Sequence, residues 1–251
     1  MGGLDAADSS VSSVFRILPG PVSPIGSLSL PTHDAAAAAL GGSVYLFGGG
    51  HLTSYRTIER LDPRTGATKT VAELPSPLSD VSVAVVSNTA YIVGGYTGSV
   101  FSDRILSFAR GRVRIAGHLP VGLRYTAVAA SGGSLLIAGG LSTAGPTQNI
   151  YRFSPADARV RKIGMLPHPL MHAGAAALHS EMCIVGGLGK RLQPYGQILC
   201  VGANGAVHVA GSLPEPLSDA GVAAEGGRLI VVGGRSQNGP VSNLLSIEPQ
   251  P

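Results

Sequence analysis

Short apolar runs punctuate the chain, and five of them end on two glycines. Val44-Tyr45-Leu46-Phe47 precedes Gly48-Gly49, and Ala90-Tyr91-Ile92-Val93 precedes Gly94-Gly95. Leu135-Leu136-Ile137-Ala138, Met182-Cys183-Ile184-Val185 and Leu229-Ile230-Val231-Val232 stand before Gly139-Gly140, Gly186-Gly187 and Gly233-Gly234. Successive doublets lie 46, 45, 47 and 47 residues apart, a period that announces a repeat architecture. Each unit resolves into four short segments. Strand a is a run of small residues, such as Ala35 to Leu40 or Ala173 to Leu178. A two-residue turn follows: Gly41-Gly42, Ser87-Asn88, Gly132-Gly133, His179-Ser180 or Gly226-Gly227. Strand b is the apolar run, strand c follows a longer loop, and strand d ends near a Leu-Pro. Hairpins at constant spacing predict the blades of an all-β propeller.

The double glycine that ends the second strand of every unit resembles the kelch repeat, and the likeness runs from about Val14 to Glu248. Kelch propellers carry Tyr and Trp downstream of the glycines; here tryptophan is absent, and strand c offers Leu61, Phe108, Phe153, Val201 and Ile247 instead. The resemblance implies a divergent five-bladed kelch-type β-propeller with four antiparallel strands per blade. The fifth unit supplies only strands a, b and c, so its last strand is expected from Val14 to Leu28. Gly26-Ser27-Leu28 matches Gly211-Ser212-Leu213 in spacing. The expected organisation is one propeller over residues 14–250, preceded by a disordered lead-in or tag over residues 1–13.

Composition agrees with an all-β chain: 36 glycines, 18 prolines and 13% charged residues. The net charge of +4 is mild. Arg110, Arg112 and Arg114, like Arg159, Arg161 and Lys162, flank tight turns without interleaved aromatics. That excludes a nucleic-acid surface and leaves a solvated rim. No apolar stretch has transmembrane length, so membrane insertion is not expected. The expected state is a monomer.

Connection lengths set the two faces of the disc apart. The a–b and c–d links are tight; the d–a and b–c links are long and emerge together. Recognition favours the long-loop face, whose b–c loops carry His51, Tyr55, Arg56, Tyr96, Arg191, Tyr195 and Arg235. Fourteen residues before each doublet stand Asp34, Asp80, Tyr125, His172 and Asp219, preceded by His33, Ser79, Arg124, Met171 and Ser218. Period-two alternation puts Ala38, Ala84, Ala129, Ala176 and Ala223 beneath them. The expected ligand-binding set is therefore Asp34, Asp80, Arg124, Tyr125, His172 and Asp219, a shallow bowl on an alanine floor. Carboxylates gathered there favour a cation or a hydroxyl-rich molecule. A second reading leaves the Asp residues as turn formers bonded to loop backbone.

Cys183 and Cys200 lie four residues outside Gly187 and Gly196 respectively, so a symmetric hairpin sets them opposite each other. Buried thiols and a cross-strand disulfide both remain open; the disulfide would favour an extracytoplasmic protein. Gly186-Gly187-Leu188-Gly189-Lys190 lacks the spacing of a phosphate loop, and no Gly-x-Ser-x-Gly elbow occurs. His168 and His172 sit in a Pro-rich loop, which does not imply a metal. No cofactor, metal or catalytic residue is expected from motifs.

Kelch relatives include protein-interaction modules, carbohydrate-active enzymes such as sialic acid epimerases, and copper oxidases; the last need an axial cysteine that is absent here. The first expectation is a non-catalytic binding or scaffold module taking a protein or small polar ligand. The alternative is an epimerase- or mutarotase-like enzyme working at the propeller axis.

Overall fold

The computed structural model describes residues 1–17 and 21–250. It is an all-β, five-bladed propeller in which blades 1–4 are four-stranded antiparallel sheets, blade 5 has three strands, and an N-terminal strap lies between blade 5 and blade 1. The strap contains β1 (Ser13–Arg16) and β2 (Ser23–Ser27). Blade 1 follows as β3 (Ala36–Leu40), β4 (Ser43–Phe47), β5 (Thr57–Leu61) and β6 (Thr68–Glu73). Blade 2 is β7 (Ser82–Val86), β8 (Thr89–Val93), β9 (Arg104–Ala109) and β10 (Arg112–His118). Blade 3 is β11 (Ala127–Ser131), β12 (Ser134–Ala138), β15 (Asn149–Ser154) and β16 (Arg159–Met165). Its b–c loop carries a small ribbon, β13 (Leu141–Ser142) with β14 (Gly145–Pro146). Blade 4 is β17 (Gly174–Leu178), β18 (Glu181–Val185), β19 (Gln197–Val201) and β20 (Val207–Ser212). Blade 5 has β21 (Gly221–Glu225), β22 (Arg228–Val232) and β25 (Leu244–Ile247), with the ribbon β23 (Arg235–Ser236) and β24 (Gly239–Pro240). A 3-10 turn at Lys190–Leu192 is the only helical element among the described residues.

Turn chemistry explains the a–b hairpins. In all five, both central residues have positive φ, between 47° and 79°, the geometry of the primed turn that matches strand twist. The glycine doublets have a different task. A Cβ on Gly48, Gly94, Gly139 or Gly186 would meet the carbonyl oxygen of Leu78, Leu123, Leu170 or Leu217 at 2.1–2.2 Å. The N–H of the following glycine donates to that same oxygen at 2.7–2.9 Å. Each of these four doublets thus docks one blade onto the loop that opens the next, and only glycine leaves room for the approach.

Residues 1–13 follow the same plan, in contrast to the disordered lead-in expected from sequence. Gly2-Gly3 stands 46 residues before Gly48-Gly49. Gly3 N–H donates to Thr32 O (2.8 Å), Gly2 N–H to Ser13 O (3.0 Å) and Val11 N–H to Gly3 O (3.0 Å). These repeat the bonds Gly49–Leu78, Gly48–Thr57 and Tyr55–Gly49 of blade 1. The closing segment is accordingly a hairpin whose strand β2 bonds to β1, where a single strand bonded to β25 was expected. Residues 18–20 of that segment lie outside the described residues. Val14 and Leu28 are buried against Leu46 and Leu61, each contributing roughly 1.5–3 kcal/mol. The strap therefore presents to blade 1 what a preceding blade would present. Arg235 of blade 5 reaches it through an ion pair with Asp8.

Apolar layers fill the spaces between blades 1 and 2, 2 and 3, 3 and 4, and 4 and 5. At the inner ring the alanine tier is graded. Ala84, Ala129 and Ala176 are buried, Ala38 is half-buried and Ala223 is exposed. Blade 5 is the least enclosed of the five.

Candidate functional site

The five axial residues do not belong to strand a, as alternation had suggested. They precede it by two positions, and all have left-handed backbones: Asp34 (φ 55°), Asp80 (57°), Tyr125 (55°), His172 (56°) and Asp219 (56°). The residue before each pairs as an isolated bridge with the b–c loop, His33 with Gly50 and Arg124 with Leu141 among them. The reversal that follows aims the next side chain at the axis. Backbone bonds link these residues blade to blade. Asp80 N–H donates to Asp34 O (2.8 Å), Tyr125 to Asp80 (3.1 Å), His172 to Tyr125 (3.3 Å) and Asp219 to His172 (2.9 Å). Left-handed φ costs an L-residue about 1–2 kcal/mol, and glycine would avoid it. None of the five is glycine, and such outliers gather at functional sites.

The side chains form two linked pairs. Arg124 Nη1 donates to Asp80 Oδ2 at 3.0 Å, and the Asp80 side chain is only 3% exposed. The Arg124 guanidinium lies 4.8–5.1 Å from the ring centres of Tyr96, Phe101 and Tyr125, so it is held by aromatic faces as well as by charge. Its Nε is buried without a hydrogen-bond partner among the described residues. On the other side His172 Nδ1 is 2.5 Å from Asp219 Oδ1, and Asp219 Oδ2 accepts from the Ser218 hydroxyl at 2.7 Å. Tyr125 joins the pairs by stacking on His172 with ring centres 3.5 Å apart.

Asp34 completes the bowl. Burial, then the Asp80 carboxylate and a hydrogen bond to it, then Asp219, raise the Asp34 pKa to about 7, against a smaller opposing pull from His172. Burial, then the charges of Asp34 and Asp80, also push the Tyr125 phenol well above its ordinary value. Tyr125 therefore stays a neutral O–H donor. The arrangement holds a carboxyl poised near neutrality, an imidazole braced by a carboxylate and a phenol around one opening.

Of the loop candidates, His33 and His51 join the rim: Ser10 Oγ sits 2.7 Å from His33 Nδ1 and 2.9 Å from His51 Nδ1. Tyr96 lies under Arg124. Arg191 and Arg235 share with Asp219 a cleft of about 650 Å³. Tyr55, Arg56 and Tyr195 are occupied elsewhere. Tyr55 donates to Pro31 O, Arg56 to Leu74 O, and Tyr195 stacks on His168. Ser10, Asp8 and Phe101 escaped the sequence reading. For the first two, the 46-residue spacing of Gly2-Gly3 was the available signal.

Blade 4 holds a second cluster. Cys183 of β18 and Cys200 of β19 are register partners joined in a disulfide, with Cα atoms 4.1 Å apart. His208 of β20 is the partner of Cys200 on the other side. Glu181, Cys200 and His208 place donor atoms within 4.8 Å of one another.

A family model described as the Kelch motif matches residues 31–75, and the chain is a β-propeller of the broad kelch-like kind with that motif in one blade. A solved structure described as "Structure of YjhT" is similar at 16% identity over 98% of this chain and 93% of that one, with a TM-score of 0.82. At that identity the likeness is one of fold. Comparison with curated proteins gave no match.

The expected non-catalytic scaffold is corrected by these findings. Titratable and metal-ligating side chains are gathered at two places, the axis and the Glu181–Cys200–His208 cluster. Such gatherings of titratable groups favour the catalytic alternative.

Proposed function

We propose that the protein is a carbohydrate-active enzyme that opens and recloses, or epimerises, a hydroxyl-rich sugar at the propeller axis. The observation that supports this most is Asp34, a carboxyl poised near pH 7 in the same bowl as the His172–Asp219 pair. With Nδ1–H donated to the Asp219 carboxylate, His172 keeps Nε2 free to accept a proton. In the simplest cycle, His172 takes the proton of an anomeric hydroxyl while protonated Asp34 gives its own to the ring oxygen. The ring C–O bond breaks and an open-chain carbonyl forms. Closure on the opposite face returns both protons. Tyr125 and Arg124 border the bowl as neutral and charged donors to sugar oxygens.

The test is anomer interconversion of a panel of reducing sugars, neutral and acidic, followed by NMR. Acceleration is expected for at least one sugar. His172→Ala and Asp34→Asn should each reduce it about 100-fold or more, the usual share of a general acid or base. No acceleration across the panel, or full activity in both variants, would overturn the proposal.

A further inference from the structure

The disulfide in blade 4 joins Cys183 to a place where three metal-binding side chains, Glu181, Cys200 and His208, converge. On β18, Glu181 and Cys183 are two residues apart and share one face of the strand. Cys200 stands directly across from Cys183, and His208 directly across from Cys200. Three adjacent strands thus project a carboxylate, two sulfurs and an imidazole to one side of the sheet. His208 Nε2 already lies 3.7 Å from Glu181 Oε2. Both sulfurs are buried, whereas Glu181 and His208 are 34% and 42% exposed, so the cluster has a dry back and an open front.

We propose that reduction of Cys183–Cys200 turns this corner of blade 4 into a tetrahedral site for a zinc-like divalent cation. Its ligands are the two thiolates, His208 Nε2 and a Glu181 oxygen. The chemistry balances through a dithiol reductant, which supplies two electrons and two protons. The disulfide becomes two thiols and the reductant becomes its own cyclic disulfide. Cation binding then displaces the two thiol protons to solvent.

Thiolate with imidazole is the donor set that selects zinc over magnesium or calcium. Zinc bonds of about 2.0–2.3 Å require Glu181, Cys200 and His208 to close in from their 4.8 Å span, while the two sulfurs, once unbonded, part to separate corners of the tetrahedron. The flexible Glu181 stem and an imidazole on the outer strand can supply that movement. In the oxidised protein the sulfurs bind each other, and Glu181 with His208 alone makes a poor site. Metal affinity and redox state are therefore coupled: reductant creates the site, and bound metal protects the thiols from reoxidation.

The experiment uses the full chain and cobalt(II), whose thiolate charge-transfer and tetrahedral visible bands report the ligands directly. One cobalt per chain with both bands is expected after dithiol reduction and removal of the reductant, and no such bands in the oxidised protein. His208→Ala and Glu181→Gln, on the open front, should keep the fold and weaken cobalt binding at least tenfold. If the reduced chain unfolds, added zinc should restore its β-sheet signal. Absent bands in a folded reduced protein, undiminished binding in His208→Ala, or an unfolded reduced protein that zinc does not refold would each overturn the proposal.

Discussion

Arg124 reaches from the threshold of blade 3 to Asp80 at the threshold of blade 2 and holds its carboxylate at 3.0 Å, beneath a cover of three aromatic rings. The contact is almost entirely removed from water on the Asp80 side. Removing one partner of such a pair costs more than the pair itself contributes, because the other charge is left stranded.

Arg124→Ala is therefore expected to destabilise the fold by about 3–5 kcal/mol. Asp80→Asn combined with Arg124→Gln keeps a hydrogen-bonding couple without charge, and asparagine tolerates the left-handed backbone. The double variant should recover more than half of the loss. Urea unfolding of the three proteins checks this, and equal losses in the single and double variants would count against it.

Asp34 imposes a pH dependence of known sign. Its pKa rises from 3.8 to about 7 on folding, so between those values the folded state binds more protons than the unfolded one. Stability associated with this group is complete below about pH 4 and is lost as the pH climbs through 7. Asp34→Asn removes the dependence. Its melting temperature should gain on that of the parent protein between pH 4 and pH 8, and a constant difference across that range would contradict the assignment.

Gly2 tests the N-terminal strap. A Cβ there would meet Thr32 O at 2.5 Å, whereas a Cβ on Gly41, with a similar left-handed φ, meets nothing within 4 Å. Gly41→Ala carries only the backbone penalty of about 1–2 kcal/mol. Gly2→Ala should cost more and should also speed amide exchange at Gly3. Identical effects of the two substitutions would mean that the strap contributes no docking.

Much of the fold was legible because the repeat writes it five times. The apolar run, the doublet and the primed turn recur at fixed offsets, and each has one local geometric cause. The Cys183–Cys200 juxtaposition followed from hairpin symmetry in the same way. Gly2-Gly3 was harder to read without the apolar run that marks the other doublets. The axial positions could be counted along the chain from the doublets, yet their place before strand a and their left-handed backbone were invisible. Alternation describes extended chain, and nothing in Tyr125 or His172 signals a reversal of φ. Pairing across blades, as in Arg124 with Asp80 or His172 with Asp219, depends on side-chain reach, which spacing does not encode. The catalytic reading needed burial, since Asp34 differs from any turn-forming aspartate only in what surrounds it.

The chain of backbone bonds running from Asp34 to Asp219 separates address from content. The four axial positions after Asp34 are each held by the preceding one's carbonyl, and all five share one reversed φ although Asp, Tyr and His carry it. Five sockets of one shape can thus hold five different groups, and here they hold three kinds. A change of group at one socket alters what the bowl recognises while leaving the other four aimed as before. Specificity in such a molecule can be re-lettered one position at a time, with the frame that displays it left standing.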